Sequence, residues 1–206
     1  MINNELSTEQ IILEAAEAEF FEKGYGNAKT VSIAKRAGVS HSMLYYYFRK
    51  KENLFQMIFL KKIQMLSQAF EGIIIQNLSF AETIRLIVEA QFDFIRKNPQ
   101  LPYFVLNEIL SNKENRVLVI DVLYYKILDI FDKIEKLLSD EIEKGAIRPV
   151  KMRDFMMNFL SLNISSFVAL PIIQEIFSIK DEKSLNIFLD ERREANVQFI
   201  LNALKP

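Results

Sequence analysis

Lys29 to Lys51 reads K-T-V-S-I-A-K-R-A-G-V-S-H-S-M-L-Y-Y-Y-F-R-K-K. Two short helices separated by a tight turn fit this stretch. Thr30 is placed to cap a helix over Val31 to Ala37, Gly38 stops it, and Ser40 is placed to cap a second helix over residues 41–48. Advancing about 100° per residue along that second helix puts Leu44 and Phe48 on one side. Ser42, Met43 and Tyr46 fall opposite, with Tyr45 and Tyr47 flanking them and His41 at the helix N-terminus. A helix laid in a major groove has this layout, with small or polar groups towards base edges and hydroxyls towards the phosphate walls.

Charge sharpens the reading. The chain holds 26 Lys and Arg against 27 Asp and Glu, a net charge of -1. That balance excludes a histone-like polycation, yet it averages two populations. Lys23 to Lys51 carries seven basic residues, among them Lys29 and Lys51, and no acid; the rest of the chain carries a net charge of -8. A split of this kind suits one face that meets a polyanion, and together with the turn at Gly38 and the cap at Ser40 it makes double-stranded DNA the leading partner. Main-chain amides in the first turns at Thr30, Ser40 and Lys51 add donors for phosphates.

Working outward, a first helix starts at the capping box Ser7-Thr8-Glu9-Gln10 and ends at Gly24, with Ile12, Ala16 and Phe20 on its inner stripe. Beyond Lys51 the helices lengthen. A fourth runs from about Glu52 towards Asn77, a fifth from Phe80 to Lys97 before Pro99, and a sixth from Pro102 to near Asn112. A seventh, bearing Leu123, Ile127, Ile130, Ile134 and Leu137, ends at Gly145. An eighth covers the uncharged stretch 155–174, and a ninth carries Leu185, Phe188, Leu189, Phe199, Ile200 and Leu204. No strand-like alternation persists, so the expected fold is all-α with about nine helices. A helix-turn-helix domain over 1–52 precedes a larger helical domain over 53–206.

Composition narrows the chemistry. With no Cys and one His, thiolate metal sites, disulfides and Ser-His-Asp catalysis are hard to build, and neither a metal nor a cofactor is expected. Asp129/Asp132 and Asp140/Glu143 form i, i+3 carboxylate pairs, but they sit on a charge-rich helix without a His partner. They read as a solvated face rather than an active site, which leaves a small-molecule enzyme as the weaker alternative. The other alternative is a membrane anchor, because residues 155–174 (FMMNFLSLNISSFVALPIIQ) run 20 residues without a charge. Five Asn and Ser in its first twelve residues, and Pro171, favour a buried helix instead. Residues 1–6 have neither a basic n-region nor an apolar h-region, so the expected location is the cytoplasm.

The stretch from Ile12 to Phe55 resembles the DNA-binding domain of TetR-family transcriptional regulators. The resemblance lies in A-A near the start, F-x-E-K-G-Y, I-A-x-x-A-G-V-S, L-Y-x-Y-F and K-E-x-L-F. It implies phosphate contacts from Thr30, Tyr45, Tyr47 and Lys51, and base contacts from His41, Ser42, Met43 and Tyr46. His41-Ser42-Met43 departs from the residues frequent in the family, so the operator sequence does not carry over. The resemblance further implies a repressor that dimerises through its last two long helices and responds to a small effector.

The remaining residues fit that picture. The eighth helix is apolar on nearly all sides, which calls for cover from its own core and from a partner subunit across a two-fold axis. Beyond residue 53 lie 14 of the 17 Phe and five of the seven Met, a composition suited to enclosing an apolar or amphipathic ligand. Gln91, Asn107, Asn158 and Asn163 are the candidate polar anchors for it.

Overall fold

The computed structural model describes residues 7–111 and 113–206, apart from the side chains of 125–127, so Ile127 of the seventh-helix stripe lies outside the described side chains. Among the described residues the chain forms ten helices and no strand. They are α1 (Thr8–Asn27), α2 (Thr30–Arg36), α3 (His41–Phe48), α4 (Lys51–Ile74), α5 (Phe80–Lys97), α6 (Leu101–Ser111), α7 (Lys113–Glu143), α8 (Met152–Val168), α9 (Leu170–Ile176) and α10 (Glu182–Leu204). The chain forms two compact units. The first comprises Met1–Gln64 with Phe104–Tyr124, the second Met65–Tyr103 with Tyr125–Pro206.

In the first unit the α1 capping box is reciprocal. The Ser7 N–H donates to Gln10 Oε1 at 2.9 Å and the Gln10 N–H donates to Ser7 Oγ at 3.2 Å. Ile12, Ala16 and Phe20 are fully buried, as their spacing predicts. Gly24, at φ +73°, bends the chain where an L side chain is disfavoured. The core around it is aromatic: Phe20 lies 5.5 Å from Tyr25 and 6.2 Å from Phe104, and Phe55 lies 5.3 Å from Tyr25 and 5.6 Å from Phe104 between ring centroids. Fully burying each such ring is worth about 2–3 kcal/mol.

The second unit packs α5, α8 and α10 together. Ile84, Ile87 and Val88 of α5 meet Phe155, Met156 and Phe159 of α8 and Val197, Ile200 and Leu204 of α10. A smaller cluster joins Phe92 and Ile95 to Phe167 and Leu189. Arg96–Asp190 (2.6 Å), Arg193–Asp93 (2.8 Å) and Arg85–Glu194 (2.9 Å) tie α5 to α10 along the surface. Each exposed pair contributes little energy, so their effect is mainly on register. Phe199, expected on the inner stripe of the last helix, is exposed instead. Val197 and Ile200 take the inner positions, and Phe199, one residue from Ile200, is rotated about 100° away.

The count of ten rather than about nine comes from the uncharged stretch. Its single expected helix is broken at Ala169, and α8 and α9 meet at a bend of 59°. Pro171 has no N–H to give to the helix, and its ring clashes with the carbonyl four residues back, so α8 cannot continue through it. No single helix among the described residues is long and apolar enough to cross a membrane; the bent pair α8–α9 reaches that length and composition only together.

Candidate nucleic-acid interface

The turn between α2 and α3 is built from main-chain hydrogen bonds. The Val39 N–H reaches the Ala34 carbonyl at 3.0 Å and the Gly38 N–H reaches the Lys35 carbonyl at 3.2 Å, the paired bonds of a Schellman motif. Gly38 takes φ +67° to make them. A Cβ there meets nothing within 4 Å, so the cost of adding one is conformational alone. Gly38→Ala is therefore expected to lower unfolding stability by about 1 kcal/mol, read by denaturant titration. An unchanged midpoint would show that the turn relaxes to another conformation.

Ser40 caps α3, its Oγ accepting from the Met43 N–H at 3.1 Å and lying 2.9 Å from Ser42 Oγ. At the other end the Asn53 amide donates to the Phe48 carbonyl at 2.8 Å. Leu44 and Phe48 are buried, as the helical projection requires. Between these anchors His41, Ser42, Met43, Tyr45, Tyr46 and Tyr47 are all exposed, Tyr46 at 80%.

Thr30 departs from its expected part. The cap position of α2 is Lys29, which makes no side-chain capping bond, and Thr30 is the first helical residue. Its hydroxyl instead lies 3.0 Å from His41 Nε2 across the turn. An N1 residue has its side chain free for such a partner because the helix asks nothing of it.

The seven cations divide into two groups. Lys29, Lys35, Arg49 and Lys50 are exposed. Lys23 and Arg36 are also exposed but are paired with acids of α1, and Lys51 is half-buried. Glu19, 99% buried, accepts from Lys23 at 2.7 Å and lies 3.5 Å from Arg36, which also pairs with Glu22. The Arg36 guanidinium holds the Glu22 carboxyl below its ordinary value. This clamp fixes α2 against α1, and the sequence signalled only its Glu19–Lys23 half, through i, i+4 spacing. Lys51 turns its ammonium onto the carbonyls of Tyr25 (2.8 Å) and Ala28 (3.1 Å), 4.4 Å above the Tyr25 ring. The Lys51 ammonium thus serves the end of α1, a direction its exposed-looking basic run did not signal. Tyr25 is buried, and that burial, then the nearby Glu52 carboxylate, raises the pKa of its phenol.

The expected ligand anchors fall in different settings. Gln91 and Asn163 are buried and bonded to one another, Asn163 Nδ2 donating to Gln91 Oε1 at 3.0 Å. Asn107 and Asn158 are exposed on α6 and α8. The second unit also carries an open groove of about 440 Å³ lined by Phe80, Ala146, Ile147, Leu201 and Lys205, and Gln91, Asn158 and Asn163 are not part of its lining. Asp129, Asp132, Asp140 and Glu143 are exposed, and Asp129 pairs with Lys133 at 2.6 Å. Among the described residues no group of acids and His is arranged to hold a metal ion.

A capped recognition helix on a helix-turn-helix, facing outward with polar and aromatic side chains beside exposed cations, defines a DNA-binding transcriptional regulator. Residues 12–58 match the family profile described as bacterial regulatory proteins, tetR family. The chain is 29% identical over 145 residues to the uncharacterized HTH-type transcriptional regulator YhgD of Bacillus subtilis, covering 70% of this chain and 74% of that one. It is 28% identical over 140 residues to the fatty acid metabolism regulator protein of the same organism, covering 66% of this chain and 69% of that one. Its fold is that of the transcriptional regulator FadR from Bacillus subtilis, solved in complex with stearoyl-CoA. That likeness has a TM-score of 0.73 and 19% identity, with 94% of this chain and 98% of that one covered. These relatives are named as regulators, not enzymes.

Proposed function

We propose that the protein is a cytoplasmic repressor that binds a two-fold symmetric operator as a homodimer and leaves it when a small apolar or amphipathic effector binds. Residues 1–52 supply the DNA-binding domain and 53–206 the effector-binding and dimerisation domain. The observation that carries the DNA half is the outward face of α3, fixed by buried Leu44 and Phe48 and by the Ser40 cap. On it Ser42, Met43 and Tyr46 meet base edges, while Lys29, Thr30, Tyr45 and Tyr47 meet phosphates, joined by main-chain amides at Ser40 and Lys51. His41 stands at the leading end of the same face.

Dimerisation through α8 and α10 is supported by large apolar side chains left exposed there, including Met157, Val168, Ile187 and Phe199. A dimer places two copies of α3 in successive major grooves about 34 Å apart. An amphipathic effector is supported by the stearoyl-CoA held by the FadR structure of the same fold. Effector release needs only a few kcal/mol of differential affinity between the two conformations.

Selection of bound duplexes from a random pool tests the reading, with ultracentrifugation for the oligomeric state and mobility shifts with long-chain acyl thioesters for the effector. A two-fold symmetric site is expected to emerge. Tyr47→Phe is expected to weaken binding to that site and to unrelated duplexes alike, by about fivefold to tenfold. Recovery of no symmetric sequence by a folded dimer would overturn the proposal.

A further inference from the structure

The contact between Thr30 Oγ1 and His41 Nε2, at 3.0 Å, joins the first residue of α2 to the first residue of α3. Nε2 is the ring atom that reaches farthest from the backbone, and here it is spent on a hydroxyl rather than left for a base. We propose that His41 is a positioning residue. It holds the Thr30 oxygen so that the Thr30 hydroxyl proton points at a DNA phosphate, and its protonation couples DNA affinity to pH. The inference rests on the reading that this face binds DNA.

The proton count gives the mechanism. A hydroxyl has one proton to donate and lone pairs to accept with. In the neutral imidazole with its proton on Nδ1, Nε2 accepts from Thr30, and the hydroxyl proton is consumed within the pair. With a proton on Nε2, the ring donates to Oγ1 and the hydroxyl proton is free for a phosphate oxygen. The imidazolium has only this second arrangement, so a proton on the ring and a phosphate on the hydroxyl favour one another.

The two helices that carry the pair, α2 and α3, hold no acid. α2 supplies Lys35 and Arg36, preceded by Lys29, while α3 carries no acidic residue. From α1, Glu19 and Glu22 are taken up by Lys23 and Arg36. Within α2 and α3, protonation of the ring therefore meets no acid, and DNA is the anionic partner the inference invokes.

His41 is the only histidine in the chain, so its ring proton can be followed by NMR without assignment. The test measures affinity for the selected operator and for an unrelated duplex between about pH 5.5 and about pH 8, the range over which an imidazole changes charge. Wild type and Thr30→Ser are expected to tighten on both duplexes, by about tenfold at the acid end. Thr30→Val keeps the ring charge but lacks the hydroxyl. His41→Gln puts a permanent amide donor near the Nε2 position. Both are expected to bind with little dependence on pH, their folds checked by circular dichroism.

Equal tightening in Thr30→Val would show that ring charge alone acts and would overturn the inference. So would a flat wild-type profile, or a change in the selected bases with His41→Gln, which would make His41 a base reader. Each of those outcomes leaves DNA binding intact. A folded wild type that binds no duplex at any pH fails the underlying reading itself.

Discussion

Lys51→Ala is expected to lower the stability of the first unit by about 2 kcal/mol, and to weaken binding to every duplex without changing its salt dependence. The ammonium bonds the carbonyls of Tyr25 and Ala28 and sits over the Tyr25 ring, so it closes the end of α1 onto the start of α4. Removing it leaves carbonyls near the aromatic core without their donor, and loosens the platform on which α2 and α3 rest. Affinity then falls because the reading face is less well held, not because a phosphate loses a cation. Binding isotherms across salt concentrations separate the two effects. A side chain that neutralises a phosphate carries a slope contribution of about 0.9, and its loss flattens the plot by that amount. A slope reduced by about that much in Lys51→Ala, with unchanged thermal stability, would place the ammonium on DNA instead.

Asn163→Ala is expected to cost the second unit about 3 kcal/mol, read by urea unfolding. Asn163 is fully buried on α8. Its Nδ2 donates to the Val88 carbonyl at 2.9 Å and to Gln91 Oε1 at 3.0 Å, and its Oδ1 accepts from Asn196 at 2.9 Å. One side chain thus links α5, α8 and α10 at the centre of the unit. Alanine leaves three buried polar groups of its neighbours short of a partner as well as a small void. Asn196 Oδ1 is already buried without a partner, so the network has no slack to absorb a further loss. A cost below about 1 kcal/mol would mean that water enters and replaces the amide.

What the sequence disclosed follows from the range over which each force acts. The α3 and α5 boundaries, His41–Phe48 and Phe80–Lys97, were legible because caps and Pro99 act within a few residues of the ends they set. The burial of Leu44 and Phe48 followed from helical period alone. The Thr30–His41 contact, the turn of Lys51 onto α1 and the Arg36 arm of the Glu19 clamp were not legible. Each depends on side chains 11 to 26 residues apart meeting in space. Gln91 and Asn163 were singled out as polar groups in apolar helices, but periodicity could not say that they face one another. Their partner Asn196 was missed because it sits among the charges of α10, where an Asn looks like ordinary surface. The break at Ala169 was half visible: Pro171 announced a kink, and only packing decided that α8 would end there.

The separation of anchoring from reading within α3 has a consequence for how such a protein changes over generations. Ser42, Met43 and Tyr46 are exposed, while Leu44, Phe48 and Ser40 hold the helix in place. Substitutions at the three outward positions are therefore close to neutral for folding. Recognition of a new DNA sequence can be explored there by mutation, in nature or in a library, with most of the variants arriving already folded.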